Sequence, residues 1–188
     1  MIRQVLLAAL AGGAIAFVFS AIQNSVFRGG EPRELPGQAA ILPALKAAIP
    51  EAGFYFFPGP ALSSGMTKQE KAAAQADHER AFKEGPTGIL VYRTGGEDFQ
   101  FGRRRAVQFL LGFFASLLAA TILAITASAT TYGTRALLVL LLGCFAFAFI
   151  EPQYWNWYGF PESYTMVRVL GGIVTWTAAG LALAAIVH

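Results

Sequence analysis

The sequence predicts a mainly α membrane protein, with four transmembrane helices and a small α+β extramembrane insertion between helices 1 and 2. Three observations predict it. The 188-residue chain is 55% hydrophobic and only 13% charged, too apolar for an ordinary soluble domain of this length. Its charges are unevenly spread, with nine of eleven acids and eleven of fourteen Lys and Arg between Arg28 and Arg105. Finally, the aromatic run Tyr154-Trp155-Asn156-Trp157-Tyr158-Gly159-Phe160-Pro161 lies between two long apolar segments. Amphipathic rings concentrate where hydrocarbon meets water, because ring faces prefer the acyl boundary while N–H and O–H groups seek polar partners.

Helix 1 is placed in residues 1–22, apolar from Val5 to Ile22, which is the length needed to cross a ~30 Å hydrocarbon core. Arg3 and Phe19-Ser20-Ala21 also fit a cleaved signal peptide. Secretory apolar regions span only about 7–15 residues, so a retained anchor is the better reading.

Residues 23–105 form the insertion, too long for a bare connection and so expected to carry structure. Gln38 to Ile49 reads as a helix ended by Pro50. Gly53 to Phe57 reads as a strand ended by Pro58-Gly59-Pro60. Thr67, with Glu70 at capping-box spacing, opens a helix to about Lys83, stopped by Gly85-Pro86. Gly88 to Arg93 reads as a second strand, followed by a turn at Gly95-Gly96. Such a module has a thin core of its own.

Residues 106–188 hold three more helices, at 106–129, 136–150 and 167–187. None carries an acid or base at its centre, and Arg135 and Arg168 are expected at helix ends, snorkelling to water. The link Ser128 to Thr134 predicts a tight antiparallel hairpin of helices 2 and 3. Small residues recur every four positions: Ala8, Gly12, Ala16 and Ser20, then Gly112, Ser116, Ala120, Ala124 and Ser128, then Gly171, Thr175 and Ala179. Such stripes let backbones approach closely. They serve either an oligomer interface or packing within one bundle, and packing is favoured because four helices are available. The aromatic run is expected to form the turn between helices 3 and 4, on the side of the insertion and as a floor on which the insertion rests. Orientation signals conflict. Arg3 and Arg135 argue for a cytoplasmic N-terminus, and Arg103-Arg104-Arg105 argues the reverse. The usual dominance of the first helix favours a cytoplasmic N-terminus and an extracytoplasmic insertion.

The net charge of +3, with bases alternating with acids, gives no footprint for nucleic acid. Cys144 is the single cysteine, and His78 and His188 are the two histidines, His78 being read as part of a solvated face; no metal or cofactor is expected. Ser63-Ser64-Gly65 lacks the strand–elbow–helix setting of a hydrolase nucleophile, and Gly29-Gly30 and Gly95-Gly96 match no phosphate-binding fingerprint. No catalytic residue is assigned. The one constellation that invites a ligand is Glu151, Tyr154, Trp155, Asn156, Trp157, Tyr158 and Glu162. A carboxylate and an amide beside apolar rings suit a lipid headgroup or a quinone-like amphiphile, although rings that merely anchor a bundle are the commoner case.

Gly12-Gly13, the stretch Gly53-Phe54-Tyr55-Phe56-Phe57-Pro58-Gly59, the stretch Gly85-Pro86-Thr87-Gly88-Ile89-Leu90-Val91-Tyr92, and the aromatic run carry a resemblance. On these motifs, spread over most of its length, the chain resembles an uncharacterised family of small bacterial four-helix integral membrane proteins. The likeness implies the same layout and a bacterial inner membrane, and it brings no activity or site residue. The expected function is an accessory or scaffold subunit of a membrane complex. The alternative is a binder or carrier of a lipid- or quinone-like amphiphile at the aromatic run. A transporter ranks last, for want of ionisable residues at the helix centres. The expected partners are the bilayer and other membrane proteins, or a second copy through the small-residue faces.

Overall fold

The computed structural model describes residues 1–26, 33–59, 63–96 and 98–188. In chain order the elements are α1 (Ile2–Val26), α2 (Gln38–Ala48), β1 (Gly53–Phe57), α3 (Lys68–Glu84), β2 (Gly88–Tyr92), α4 (Phe101–Thr126), α5 (Tyr132–Tyr158) and α6 (Glu162–Ile186). Gly29-Gly30, tested above against the phosphate-binding fingerprint, and Pro60, read above as part of a strand-end signal, lie outside the described residues. The chain divides into two compact units, residues 33–98 and the remainder.

The larger unit holds α1, α4, α5 and α6, and each of these helices is long and apolar enough to cross a membrane. Each runs past at least one end of its apolar stretch. Backbone hydrogen bonding, once nucleated, continues through polar residues that hydropathy counts as loop. α5 passes through Pro152, which has no N–H to give the Ala148 carbonyl. Beside it the Gln153 side-chain amide donates to the Phe149 carbonyl at 3.0 Å, supplying a bond in the interrupted turn. The true stop is Gly159, in the left-handed region at φ 68°, whose N–H closes on Trp155. The aromatic run is therefore mainly the last two turns of α5, and the α5–α6 turn is reduced to Gly159, Phe160 and Pro161.

Packing sets the helices in the order α4–α1–α6–α5. The tight hairpin expected of the second and third apolar segments is not formed along their length. A 3-10 turn at Ala127–Ala129 joins α4 to α5, but α5 packs chiefly on α6, and α4 on α1. The small-residue stripes explain the choice of neighbours. A methyl group added at Gly13 would lie 2.9 Å from the Phe113 backbone of α4, and one at Gly12 would lie 2.5 Å from Leu183 of α6. On the other flank, Gly143 lies against Trp176, Gly172 against Phe147 and Gly180 against Val139. Lipid offers no hydrophobic drive for helices to associate, so this contact between backbones and side chains holds them together. Ala8, Ser116, Ala120 and Ala179 are fully buried by it, so the stripes are occupied within the chain. The apolar core, Ala8, Ala119, Ala120, Leu123, Val139, Ala179, Leu183 and Val187, gathers toward the end that carries Met1.

In the smaller unit β1 and β2 pair antiparallel, Gly53 opposite Tyr92 through Phe57 opposite Gly88. α3 lies between them in sequence. Its N-terminus is a full capping box: the Thr67 hydroxyl accepts from the Glu70 N–H, and the Glu70 carboxylate accepts from the Thr67 N–H at 2.7 Å. None of the described residues in this unit is fully buried, so its core is thin, as its size and composition predict.

Candidate functional site

The seven candidate residues fall at one end of the helical unit. Glu151, Tyr154, Trp155, Asn156, Trp157 and Tyr158 lie on the last two turns of α5, and Glu162 is the first residue of α6. Consecutive residues on a helix point about 100° apart, so this cluster in sequence is dispersed around the axis in space. Trp155, Asn156, Trp157 and Glu162 are exposed. Glu151 turns inward and is only 7% exposed. Asn156 lies inside the helix, and Gly159 caps it.

What Glu151 meets is Arg168. One carboxylate oxygen, Oε1, accepts from the arginine Nε at 3.2 Å and from Nη2 at 3.0 Å. Sequence reasoning placed Arg168 at the start of helix 4. Because α6 begins at Glu162, Arg168 instead sits nearly two turns inside, level with Glu151 on the neighbouring antiparallel helix. The two ends of the pair are unequally sheltered, with side-chain exposures of 9% for Glu151 and 43% for Arg168. Opposite charges flanking a short link between two apolar segments were the signal that could have found the pair.

Around it lies a polar layer. The Thr165 hydroxyl, one turn from Arg168 on α6, is buried with no hydrogen-bond partner. Gln23 of α1 donates its amide to the Val167 carbonyl at 2.8 Å. Gly171 makes room for that amide, since a Cβ there would coincide with the Gln23 side chain. Toward the helix ends, rings wrap the turn: Tyr154 packs on Tyr158 and on Phe160, with centroids 5.7 and 5.6 Å apart, and Phe160 packs on Tyr164 at 5.3 Å.

The opposite end holds a second ionisable group that is buried and does not snorkel. Arg135, in the first turn of α5, is 8% exposed. It donates Nη1 to the Thr130 carbonyl at 2.8 Å and Nε, at a longer 3.4 Å, to the Ala184 carbonyl. Ala184 lies in the last turn of α6, whose carbonyls lack helical partners and carry the negative end of the helix dipole. Glu151 and Arg135 are both buried, yet each lies toward an end of α5, so the expectation of helix centres without an acid or base stands and only the snorkelling of Arg135 is corrected.

Among the described residues, cavities that open between helices include two. One, of about 230 Å³, lies between α1 and α6 and includes Phe19, Gln23, Val167, Gly171 and Thr175 in its walls. The other, of about 270 Å³, lies between α1 and α4 and is walled by Met1, Val5, Leu117 and Ile125 among others. Neither includes any of the seven candidates. In the smaller unit His78 is half-buried against Phe82, with its Nδ1 shielded and without a partner, so its face is not the fully solvated one expected. The hydrogen bonds from Thr67 hold the Glu70 carboxyl below its ordinary range.

The comparisons add no relative. No protein-family model matches the chain, and no curated protein or solved structure is detectably similar to it.

Proposed function

We propose that the protein is an integral membrane protein of a bacterial inner membrane. Its four apolar helices cross the bilayer, and it serves as an accessory or scaffold subunit of a membrane complex. The observation that carries this reading is the division of side chains on α5. Glu151 is spent on Arg168, while Phe145, Phe149, Trp155 and Trp157 leave a broad apolar and aromatic outer face. α5 stands at the edge of the helix row with α6 as its chief neighbour, so that face is available to lipid or to another membrane-embedded helix. The N-terminus is assigned to the cytoplasmic side on the dominance of the first helix.

The same division ranks the amphiphile reading second. Asn156 and Trp157 point away from Glu151, Trp155 one turn on is itself exposed, and neither cavity described above includes any of the three. Transport ranks third: the buried Glu151 is neutralised by Arg168, and the pair sits toward one end of the helices, away from their middle.

Carbonate washing of membranes followed by gentle detergent extraction and native electrophoresis tests the proposal. The protein is expected to stay in the washed membrane and to migrate with a co-purifying membrane protein. Release by carbonate sinks the membrane assignment, and migration only as a free monomer sinks the accessory role. A retained amphiphile lost on W155A/N156A would promote the second reading in its place.

A further inference from the structure

The start of α4 carries a charged patch that the reading above leaves unused. Arg103, Arg104 and Arg105 are consecutive and exposed, and among the described residues none of the three forms an ion pair. Two of them are held in place by rings. The Arg104 guanidinium lies 4.8 Å from the centroid of Phe99, and that of Arg105 lies 4.1 Å from the centroid of Phe101. The two rings are stacked on each other, 6.0 Å apart at 24°. The result is a four-membered stack, Arg104–Phe99–Phe101–Arg105, with Phe99 71% and Phe101 52% exposed.

Stacking occupies the flat face of a guanidinium and leaves its edge free. That edge is a fork of N–H donors that fits a phosphate in bidentate fashion. The rings thus orient two forks without consuming their hydrogen bonds or their charge. Depth agrees with the same partner. From Ala106 to Thr126, α4 rises about 31 Å, which matches a ~30 Å hydrocarbon core. The arginines directly before Ala106 then fall in the headgroup layer, where lipid phosphates lie.

We propose that Arg103, Arg104 and Arg105, with Phe99 and Phe101 beneath them, form a binding surface for the phosphate headgroups of anionic phospholipids. The inference rests on the reading that the four helices cross a bilayer. An anionic headgroup supplies the countercharge that the described residues do not supply, and the two phenyl rings lie against the adjoining acyl boundary. Juxtamembrane basic residues are worth about fivefold each in affinity for an anionic surface.

The test uses the purified full-length protein in mixed micelles of equimolar phosphatidylglycerol and phosphatidylcholine, with bound lipid counted by native mass spectrometry. Wild type is expected to retain phosphatidylglycerol in preference to phosphatidylcholine. R104Q/R105Q is expected to lower that preference about 25-fold, the product of the two residues. R3Q, at the other end of the helices, should leave it unchanged. F99L/F101L keeps every charge, removes the stack and should lower the preference about threefold, on the strength of exposed cation–π contacts. That variant keeps the test decisive if R104Q/R105Q fails to fold. No preference in wild type, an unaltered preference in a folded R104Q/R105Q or F99L/F101L, or an equal loss in R3Q overturns the proposal. Displacement of the lipid by inorganic phosphate at about 10 mM, where the Debye length is still about 30 Å and screening alone is weak, would mark a free-anion site and overturn it too. Carbonate washing in parallel separates the failures. A protein released by carbonate defeats the membrane reading together with this inference, whereas one that stays embedded without lipid preference defeats this inference alone.

Discussion

The Glu151–Arg168 pair should respond unequally to the loss of its two members. R168Q strands a carboxylate whose side chain is 9% exposed, whereas E151Q frees an arginine that is 43% exposed and can extend to water. Removing one partner of a buried pair costs about 3–5 kcal/mol, and the lower figure applies here because the pair lies near the ends of its helices. E151Q weakens a charge-assisted bond to a neutral one, about 1 kcal/mol. The difference of about 2 kcal/mol corresponds to a roughly 30-fold ratio in the unfolding equilibrium. The double variant E151Q/R168Q removes both charges and should bring the loss down to about 1 kcal/mol, recovering most of the R168Q loss and giving a coupling of about 3 kcal/mol. Reversible unfolding of the full-length protein in mixed detergent micelles, followed by tryptophan fluorescence, reads all four corners of the cycle. The reasoning fails if E151Q costs as much as R168Q, or if the two losses simply add.

The close approach of α1 to α4 gives a second expectation. G13A should destabilise by about 1–3 kcal/mol because its methyl group meets Phe113 backbone that cannot step aside. G133A, where nothing lies within 4 Å, should stabilise by about 0.5–1 kcal/mol through helix propensity. The same unfolding assay reports both. In α3, the lowered pKa of Glu70 makes its cap a contribution present above the ordinary glutamate range and lost as pH falls through the lowered value. Hydrogen exchange at the amides of residues 68–71 should therefore quicken on acidification beyond its intrinsic pH trend in wild type and not in E70Q. Orientation can be read in intact cells with a membrane-impermeant maleimide in a C144S background. E162C is expected to label and T131C to stay protected, and the reverse pattern inverts the assignment.

The four apolar helices were legible because hydrocarbon-length runs of Leu, Ala, Phe and Ile have no other economical fold. The capping box at Thr67 was legible for a similar local reason: its two hydrogen bonds need only four consecutive residues. Helix ends were not. Apolar counting stopped at Ile150 and resumed at Val167, yet the backbone stays helical through Tyr158 and from Glu162. That shift of about two turns hid the Glu151–Arg168 pair, since both residues had been set at helix margins. The partners of α1 were equally hidden. Proximity in sequence favoured α4 with α5, but Gly143 fits Trp176 and Gly172 fits Phe147, so α5 closes on α6.

By itself the sequence determined composition, periodicity and local hydrogen bonding, and through them four long apolar helices, a thin α+β insertion and the aromatic character of one helix end. Only the tertiary structure decided which helix touches which, and therefore which polar groups are buried. Hydropathy is nearly the same on all four helices and carries no label for a neighbour. Neighbours are selected by the fit of a glycine against a ring or a backbone, a property of two surfaces brought together. Glu151 became a buried ion pair, and Arg104 and Arg105 remained without an acid partner among the described residues, through that selection.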